Sequence, residues 1–184
     1  DRPDEKTPPA PAQEDHSRGR RRAGVTHVAF VGIGSNLDGP CAHVRTAFDE
    51  LDALPRCRVS GRSSLYCSAP IGGPPQPDYV NAVARLETRL APDELLAALL
   101  AIETRHARSR AIPNAPRTLD LDLLLYDSAT RDSPGLQLPH PRMHLRRFVL
   151  APLLEVDPEA QIPGRGPVTQ LLERCAAQRL ERID

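Results

Sequence analysis

Leucine and aspartate alternate at Leu119, Asp120, Leu121 and Asp122. A period of two is the signature of a half-buried strand, with the leucines turned to a core and both carboxylates on the other face. Two residues along a strand span about 6.6 Å, so the carboxylates share a small region of space. Like charges that close repel, and each favours a counter-ion. A hard divalent cation with oxygen ligands, Mg²⁺ above all, meets that need. Arg117 lies three residues before the first aspartate, and Arg108 and Arg110 lie on the segment 107–115 before it. Arginine beside a metal-binding carboxylate pair points to a phosphate between them. By itself the D-x-D pattern fits equally an antiparallel strand whose wet face carries two acids. The alternation of anion and cation binders over so short a stretch favours polyphosphate chemistry.

Three further groups of residues could touch a ligand. From Tyr79 to Thr88, Val80, Ala82, Ala84 and Leu86 take one face of a strand, and Tyr79, Asn81, Val83 and Arg85 take the other. An aromatic ring beside an amide that both donates and accepts suits a flat heteroaromatic ligand, although an ordinary polar strand face has the same pattern. His140, in the turn Leu138-Pro139-His140-Pro141, could meet a phosphate or a sugar, or simply lie at the surface. Gly32-Ile33-Gly34-Ser35-Asn36 ends the first strand in a turn with room for close backbone approach. Two glycines at this spacing are a weak phosphate signal, and a plain strand-to-helix turn explains them as well.

These residues must be positioned by the rest of a 184-residue chain, long enough for one domain with a real core. Basic and acidic residues balance at 24 each, which argues against a bulk nucleic-acid binder. The only lysine is Lys6, so the basic chemistry of the folded part falls to arginine and histidine. That excludes a P-loop lysine or a Schiff-base lysine there, and leaves the residue best suited to a bidentate grip on phosphate. The four cysteines show no C-x-x-C spacing, which reads as idle thiols in a reducing cytosol. No run approaches the roughly 20 apolar residues of a membrane span, and no signal peptide is visible. The chain does not begin with Met, which points to a trimmed or renumbered product.

Residues 1–24 are rich in proline and charge and end in Arg18-Gly19-Arg20-Arg21-Arg22. They read as a disordered tail ahead of a domain at 25–184. The expected elements are a strand at 26–33, a helix at 40–54 and a strand at 59–66. A stiff proline- and glycine-rich loop at 69–78 and a strand at 79–88 follow. A helix then runs from Pro92 to His106, with Leu95, Leu99 and Ile102 buried. After the aspartate strand come a short helix kinked or started at Pro152 and a last helix near 168–176.

Taken together the motifs resemble the bacterial 6-hydroxymethyl-7,8-dihydropterin pyrophosphokinase family of folate synthesis, from about Val28 to the end of the chain. The resemblance rests on Gly34-Ser35-Asn36-Leu37, the run from Gln76 to Ala82, and Ile102-Glu103. It rests also on the run from Pro116 to Leu123 and on Pro139-His140-Pro141-Arg142-Met143 followed by Arg146 and Phe148. Five motifs in the family's order make it specific. It implies an α+β fold with a ferredoxin-like core, an antiparallel-rich sheet flanked by helices in a three-layer α/β/α sandwich. It implies transfer of a pyrophosphoryl group from ATP to the pterin hydroxymethyl oxygen, with AMP leaving.

Carried over by motif, Asp120 and Asp122 would hold a pair of Mg²⁺ ions. Arg108 and Arg117 would grip the phosphates, with Arg110 on a closing loop. Ser68, Ala69 and Ile71, largely through backbone, and Tyr79, Asn81 and Phe148 would bind the pterin. Leu100, Glu103, Leu123, His140, Pro141 and Arg146 would meet the nucleotide. A cytoplasmic monomer that binds neither nucleic acid nor membrane is the matching expectation. Where the family commonly has Arg-Trp-Gly-Pro-Arg, this chain has Pro113-Asn114-Ala115-Pro116-Arg117, without the tryptophan. The expected consequence is a loop that still closes but holds the pterin less tightly. The rival readings are an RNA-binding module on the same sheet, with the arginine-rich tail as its contact, and a family member that has lost catalysis.

Overall fold

The computed structural model describes residues 24–106 and 118–184. The expected tail, apart from exposed Gly24, and the loop carrying Arg108, Arg110 and Arg117 therefore lie outside the described residues.

The central sheet is antiparallel. Its strands are β1 (His27–Ser35), β2 (Cys57–Arg62), β3 (Tyr66–Ser68), β4 (Tyr79–Thr88) and β5 (Asp120–Tyr126), with the two-residue β10 (Glu181–Arg182) at one edge. The spatial order is β10-β3-β4-β1-β5, and β2 also pairs with β4. β2 takes the far half of β4, opposite Ala84 to Thr88, and β3 takes the near half, opposite Tyr79 to Asn81. The single strand expected over 59–66 is thus two. The break at 63–65 is held by side chains and backbone together: the Ser63 N–H donates to the Val83 carbonyl, and the Val83 N–H donates to Ser63 Oγ. That reciprocal pair lets Leu65 drop into the core, where it is 2% exposed.

Helices cover both faces. On one side lie α1 (Pro40–Asp52) and α2 (Pro92–Arg105). Their stripes, Val44, Ala47, Phe48 and Leu51 on α1 and Leu95, Leu99 and Ile102 on α2, pack on Ala29, Val31, Ile33 and the even-numbered face of β4. Burying each of the larger side chains among them is worth roughly 1.5–3 kcal/mol, so the stripe outweighs any local propensity. Pro92, the acidic pair Asp93 and Glu94, and Arg105 match the α2 dipole at both ends. The Glu94 carboxylate also accepts the Ala91 N–H at 2.7 Å. On the other side lie α3 (Arg147–Val156) and α4 (Val168–Arg174), packed on Phe30, Val83, Leu124 and Leu125. The result is the expected α/β/α sandwich. α3 starts five residues before Pro152, which sits inside it. The apolar run from Phe148 to Leu154 holds the helix there, and the proline only withholds the N–H that would reach the Phe148 carbonyl.

β1 and β5 slip out of register once. Phe30 faces Leu125 and Val31 faces Leu123, so Leu124 is an extra residue. A bulge of this kind turns one group out of the ladder. Here the Leu124 carbonyl accepts the His140 N–H at 2.9 Å, which seats the turn bearing His140 beside β5. Two short hairpins, β6 (Arg131–Ser133) with β7 (Leu136–Leu138), and β8 (Gln161–Ile162) with β9 (Gly166–Pro167), complete the fold.

Candidate active site

The two glycines of β1 are not in a turn. The strand runs on to Ser35, so Gly32 and Gly34 are strand residues on the α3 side of the sheet. The register sets Asn81, Gly34 and Asp120 in one row across β4, β1 and β5, and Val83, Gly32 and Asp122 in the next. Row partners point to the same face. Neighbouring strands are about 4.8 Å apart, so Asn81 and Asp120 stand about 10 Å from each other across a glycine that has no side chain. The turn expected here is instead the bare floor of a site, wide enough for a flat bicyclic ring.

The walls come from the loops. Ser68, Ala69 and Ile71 close one side, Tyr79 and Asn81 rise from β4, and Phe148 and Arg146 descend from the start of α3. Arg142 joins them, a residue to which the sequence assigned no role. The Arg146 guanidinium lies 5.6 Å from the centre of the Phe148 ring, within cation–π range. A second cleft opens on the other side of Asp122 and His140. Leu100, Leu123 and Pro141 line it, together with Leu96, Leu136 and the β6–β7 turn. Residues expected for the ring and those expected for the nucleotide thus fall mostly into two adjoining clefts that share Asp122 and His140. Arg146 is the exception, lining the first cleft. Glu103 lines neither: it is 1% exposed, and its carboxylate accepts the Leu121 N–H at 2.8 Å, which ties α2 to the edge of β5.

Ser35 and Asn36, just past the glycines, are buried and hold the two loop roots. Ser35 Oγ donates to the Thr118 carbonyl at 2.5 Å, two residues before Asp120. Asn36 Nδ2 donates to Gln76 Oε1 and to the Pro77 carbonyl, each at 2.9 Å. Tyr79 donates its hydroxyl to the same Gln76 oxygen at 3.1 Å. Both residues belong to the run Gly34-Ser35-Asn36-Leu37, yet their contacts are made across the chain and nothing local announces them.

His140 reads clearly. Burial drives its pKa down to about 4, and the Arg146 and Arg142 charges push the same way, against an opposing pull from Asp120. Near neutral pH the ring is uncharged. Its Nδ1 accepts the Arg142 N–H at 3.2 Å, so its proton sits on Nε2, 3.8 Å from Asp122 Oδ2. That approach is not an ion pair at neutral pH; it aims a neutral N–H donor at the seam between the clefts.

Among the described residues no cluster of three or more His, Cys, Asp or Glu is arranged to hold a metal ion. The aspartate pair is therefore no closed cage. It fits Mg²⁺ in its usual protein setting, where one or two carboxylates share the ion with water and substrate phosphates.

Residues 30–158 match the family described as 7,8-dihydro-6-hydroxymethylpterin-pyrophosphokinase (HPPK). The chain belongs to this family. It is 42% identical over 154 residues to the 2-amino-4-hydroxy-6-hydroxymethyldihydropteridine pyrophosphokinase of Pseudomonas aeruginosa, covering 84% of this chain and 95% of that one. It is 37% identical over 157 residues to the enzyme of the same name from Haemophilus influenzae, covering 85% and 98%. Among solved structures it resembles a wild-type Plasmodium falciparum HPPK-DHPS with pterin and p-hydroxybenzoate, with TM-score 0.65 and 12% identity. That match covers 83% of this chain and 44% of the Plasmodium chain, and at that identity it speaks for the fold alone. Among the described residues no helix is long and apolar enough to cross a membrane.

Proposed function

We propose that this HPPK-family chain transfers a pyrophosphoryl group from ATP to 6-hydroxymethyl-7,8-dihydropterin, giving the pterin diphosphate and AMP for folate synthesis. The observation that carries the reading is the row Asn81, Gly34, Asp120: a bare floor for a flat ring, with a ring-binding amide at one end and a carboxylate at the other. The pterin lies on that floor between Tyr79 and Phe148, with Ser68, Ala69 and Ile71 at its edge. The nucleotide lies in the adjoining cleft against Leu100, Leu123 and Pro141, with its phosphates at the seam beside His140 and Arg146.

In the transfer, the hydroxymethyl oxygen forms a bond to the β-phosphorus. The bond from that phosphorus to the α,β-bridging oxygen breaks, and AMP leaves with the electron pair. Asp120 and Asp122 stand where the hydroxyl proton is lost, and they are the residues that would hold a pair of Mg²⁺ ions. Bound there, the ions would supply positive charge to the polyphosphate and lower the proton affinity of the attacking hydroxyl. His140 adds a neutral donor rather than a base, since its ring nitrogen gains a proton only near pH 4. Arg108, Arg110 and Arg117 would clamp the phosphates from the loop outside the described residues. Fixed donors aimed at developing charge are worth roughly 2.7–4 kcal/mol each. A cytoplasmic monomer that binds no nucleic acid completes the proposal.

Product identification tests it. The protein is mixed with ATP, Mg²⁺ and the dihydropterin, and the nucleotides and pterins are resolved. AMP and pterin diphosphate appearing in step are the expected result. ADP with pterin monophosphate would overturn the reaction while keeping the site.

A further inference from the structure

Away from both clefts, two histidines and a carboxylate meet where the end of α2 lies against α1. His43 and Glu50 are seven residues apart on α1, two turns along one face. His106 caps the C-terminus of α2, its N–H reaching the carbonyls of Ile102 at 3.3 Å and Glu103 at 3.1 Å. Its ring bridges the two α1 side chains. Nε2 lies 2.6 Å from Glu50 Oε2, and Nδ1 lies 2.8 Å from Nδ1 of His43. Arg105 reaches the other Glu50 oxygen at 3.2 Å.

The partners fix where the protons lie. A carboxylate only accepts, so His106 carries a proton on Nε2. Between the two Nδ1 atoms a single proton has room, because a ring nitrogen that bears hydrogen cannot accept. The contact therefore survives with both rings neutral, and with one of them charged. It fails with both charged, when two N–H groups would face each other across 2.8 Å. The joined rings hold one proton fewer than the parted rings can, so falling pH favours parting. Among the described residues the charged groups at this contact are Glu50 on α1 and Arg105 on α2. The end of α2 is tied on its other side as well. Glu103, three residues before His106, accepts the Leu121 N–H at 2.8 Å, and Leu121 stands between Asp120 and Asp122. Less than one turn of helix thus separates the histidine contact from the residue that holds the carboxylate strand.

We propose that Glu50, His106 and His43 form a pH-sensitive brace: at neutral pH it holds the last turn of α2, and on acidification a second proton parts the histidines and loosens the Leu121 stretch that positions Asp120 and Asp122. The three are positioning residues and touch no substrate. The brace goes beyond the pyrophosphokinase reading, and only its effect on turnover rests on that reading.

The test compares wild type with His43→Gln and His43→Leu. Glutamine offers His106 an amide N–H and gains no charge in acid, whereas leucine offers no partner. In wild type at pH 7.5, nitrogen-15 NMR should show coupling between the two Nδ1 nuclei across their shared proton, weakening as the pH falls to 5. Over the same range hydrogen-exchange protection of the His106 and Leu121 amides should fall about three- to tenfold more in wild type than in His43→Gln, the worth of one net hydrogen bond. His43→Leu should show the lower protection already at pH 7.5. The kcat of wild type and of His43→Gln should match at pH 7.5 and diverge at pH 5, with wild type the slower. His140 titrates in both proteins, so it does not contribute to the difference. Absence of the coupling at pH 7.5 overturns the brace, and so does an equal pH dependence of protection in wild type and His43→Gln. Protection that falls at His106 but not at Leu121 overturns the link to the carboxylates, as does an equal pH dependence of kcat. Failure of pyrophosphoryl transfer itself would show in the wild-type products at pH 7.5, while the exchange data still report on the brace.

Discussion

His140 offers a change of stability with pH that can be worked through. Its folded pKa lies near 4, against 6.5 for the unperturbed ring. A depressed folded pKa means that the unfolded chain binds the proton first. The neutral ring is thus no burden above pH 6.5, and the fold loses stability as pH falls from 6.5 towards 4. A gap of about 2.5 units at 1.36 kcal/mol each sets a ceiling of about 3.4 kcal/mol, and about 2 kcal/mol of that is reached by pH 5. The side chain is only 15% exposed, so solvent screening reduces this little. The groups facing it are the guanidinium groups of Arg142 and Arg146 and the carboxylates of Asp120 and Asp122. The perturbation is His140→Gln, which keeps a polar amide and cannot titrate. Urea unfolding is followed in EDTA at pH 7.5, 6 and 5. Between pH 7.5 and 5 wild type should lose about 2 kcal/mol more than the variant, while both share the titration of all other groups. Equal pH slopes for the two proteins would refute the buried, neutral ring, and with it the assignment of His140 as a donor rather than a base.

The remaining predictions concern the floor and its acidic end. Asp122→Asn should reduce AMP formation by at least a hundredfold, by the scale of lost electrostatic groups at a transition state. Full turnover at ordinary Mg²⁺ would sink the metal assignment. Gly34→Ala fits sterically, the nearest atoms to the added methyl being Asn81 Oδ1 at 3.7 Å and Tyr79 Cδ1 at 3.9 Å. The variant should therefore fold, yet raise the pterin KM at least tenfold by lifting the ring off the floor, by the usual cost of overpacking. An unchanged pterin KM in steady-state assays would remove the ring from this row.

The parts of the fold that a residue's near neighbours dictate were legible in the sequence. The alternation at 79–88 and the stripes of α1 and α2 marked a strand and two helices to within a few residues, because burial on a regular element leaves a period. The aspartate pair was legible for the same reason. What failed to show were features set by residues far along the chain. The break in β2–β3 depends on Val83, and the seat of His140 depends on an extra residue in β5. In the sequence the glycines of β1 look like a turn with room for close backbone approach, whereas in the fold they remain in the ladder and empty the space between Asn81 and Asp120. That difference changes the chemistry. A glycine turn would have offered backbone N–H groups to a phosphate. A glycine row inside a sheet offers a flat, shallow surface, which suits a planar ring held at its ends. In the proposed reading the phosphates lie at the seam beside the carboxylates. Ser35 binds the floor to that seam: it ends the glycine strand and holds the carbonyl of Thr118, two residues before the first carboxylate.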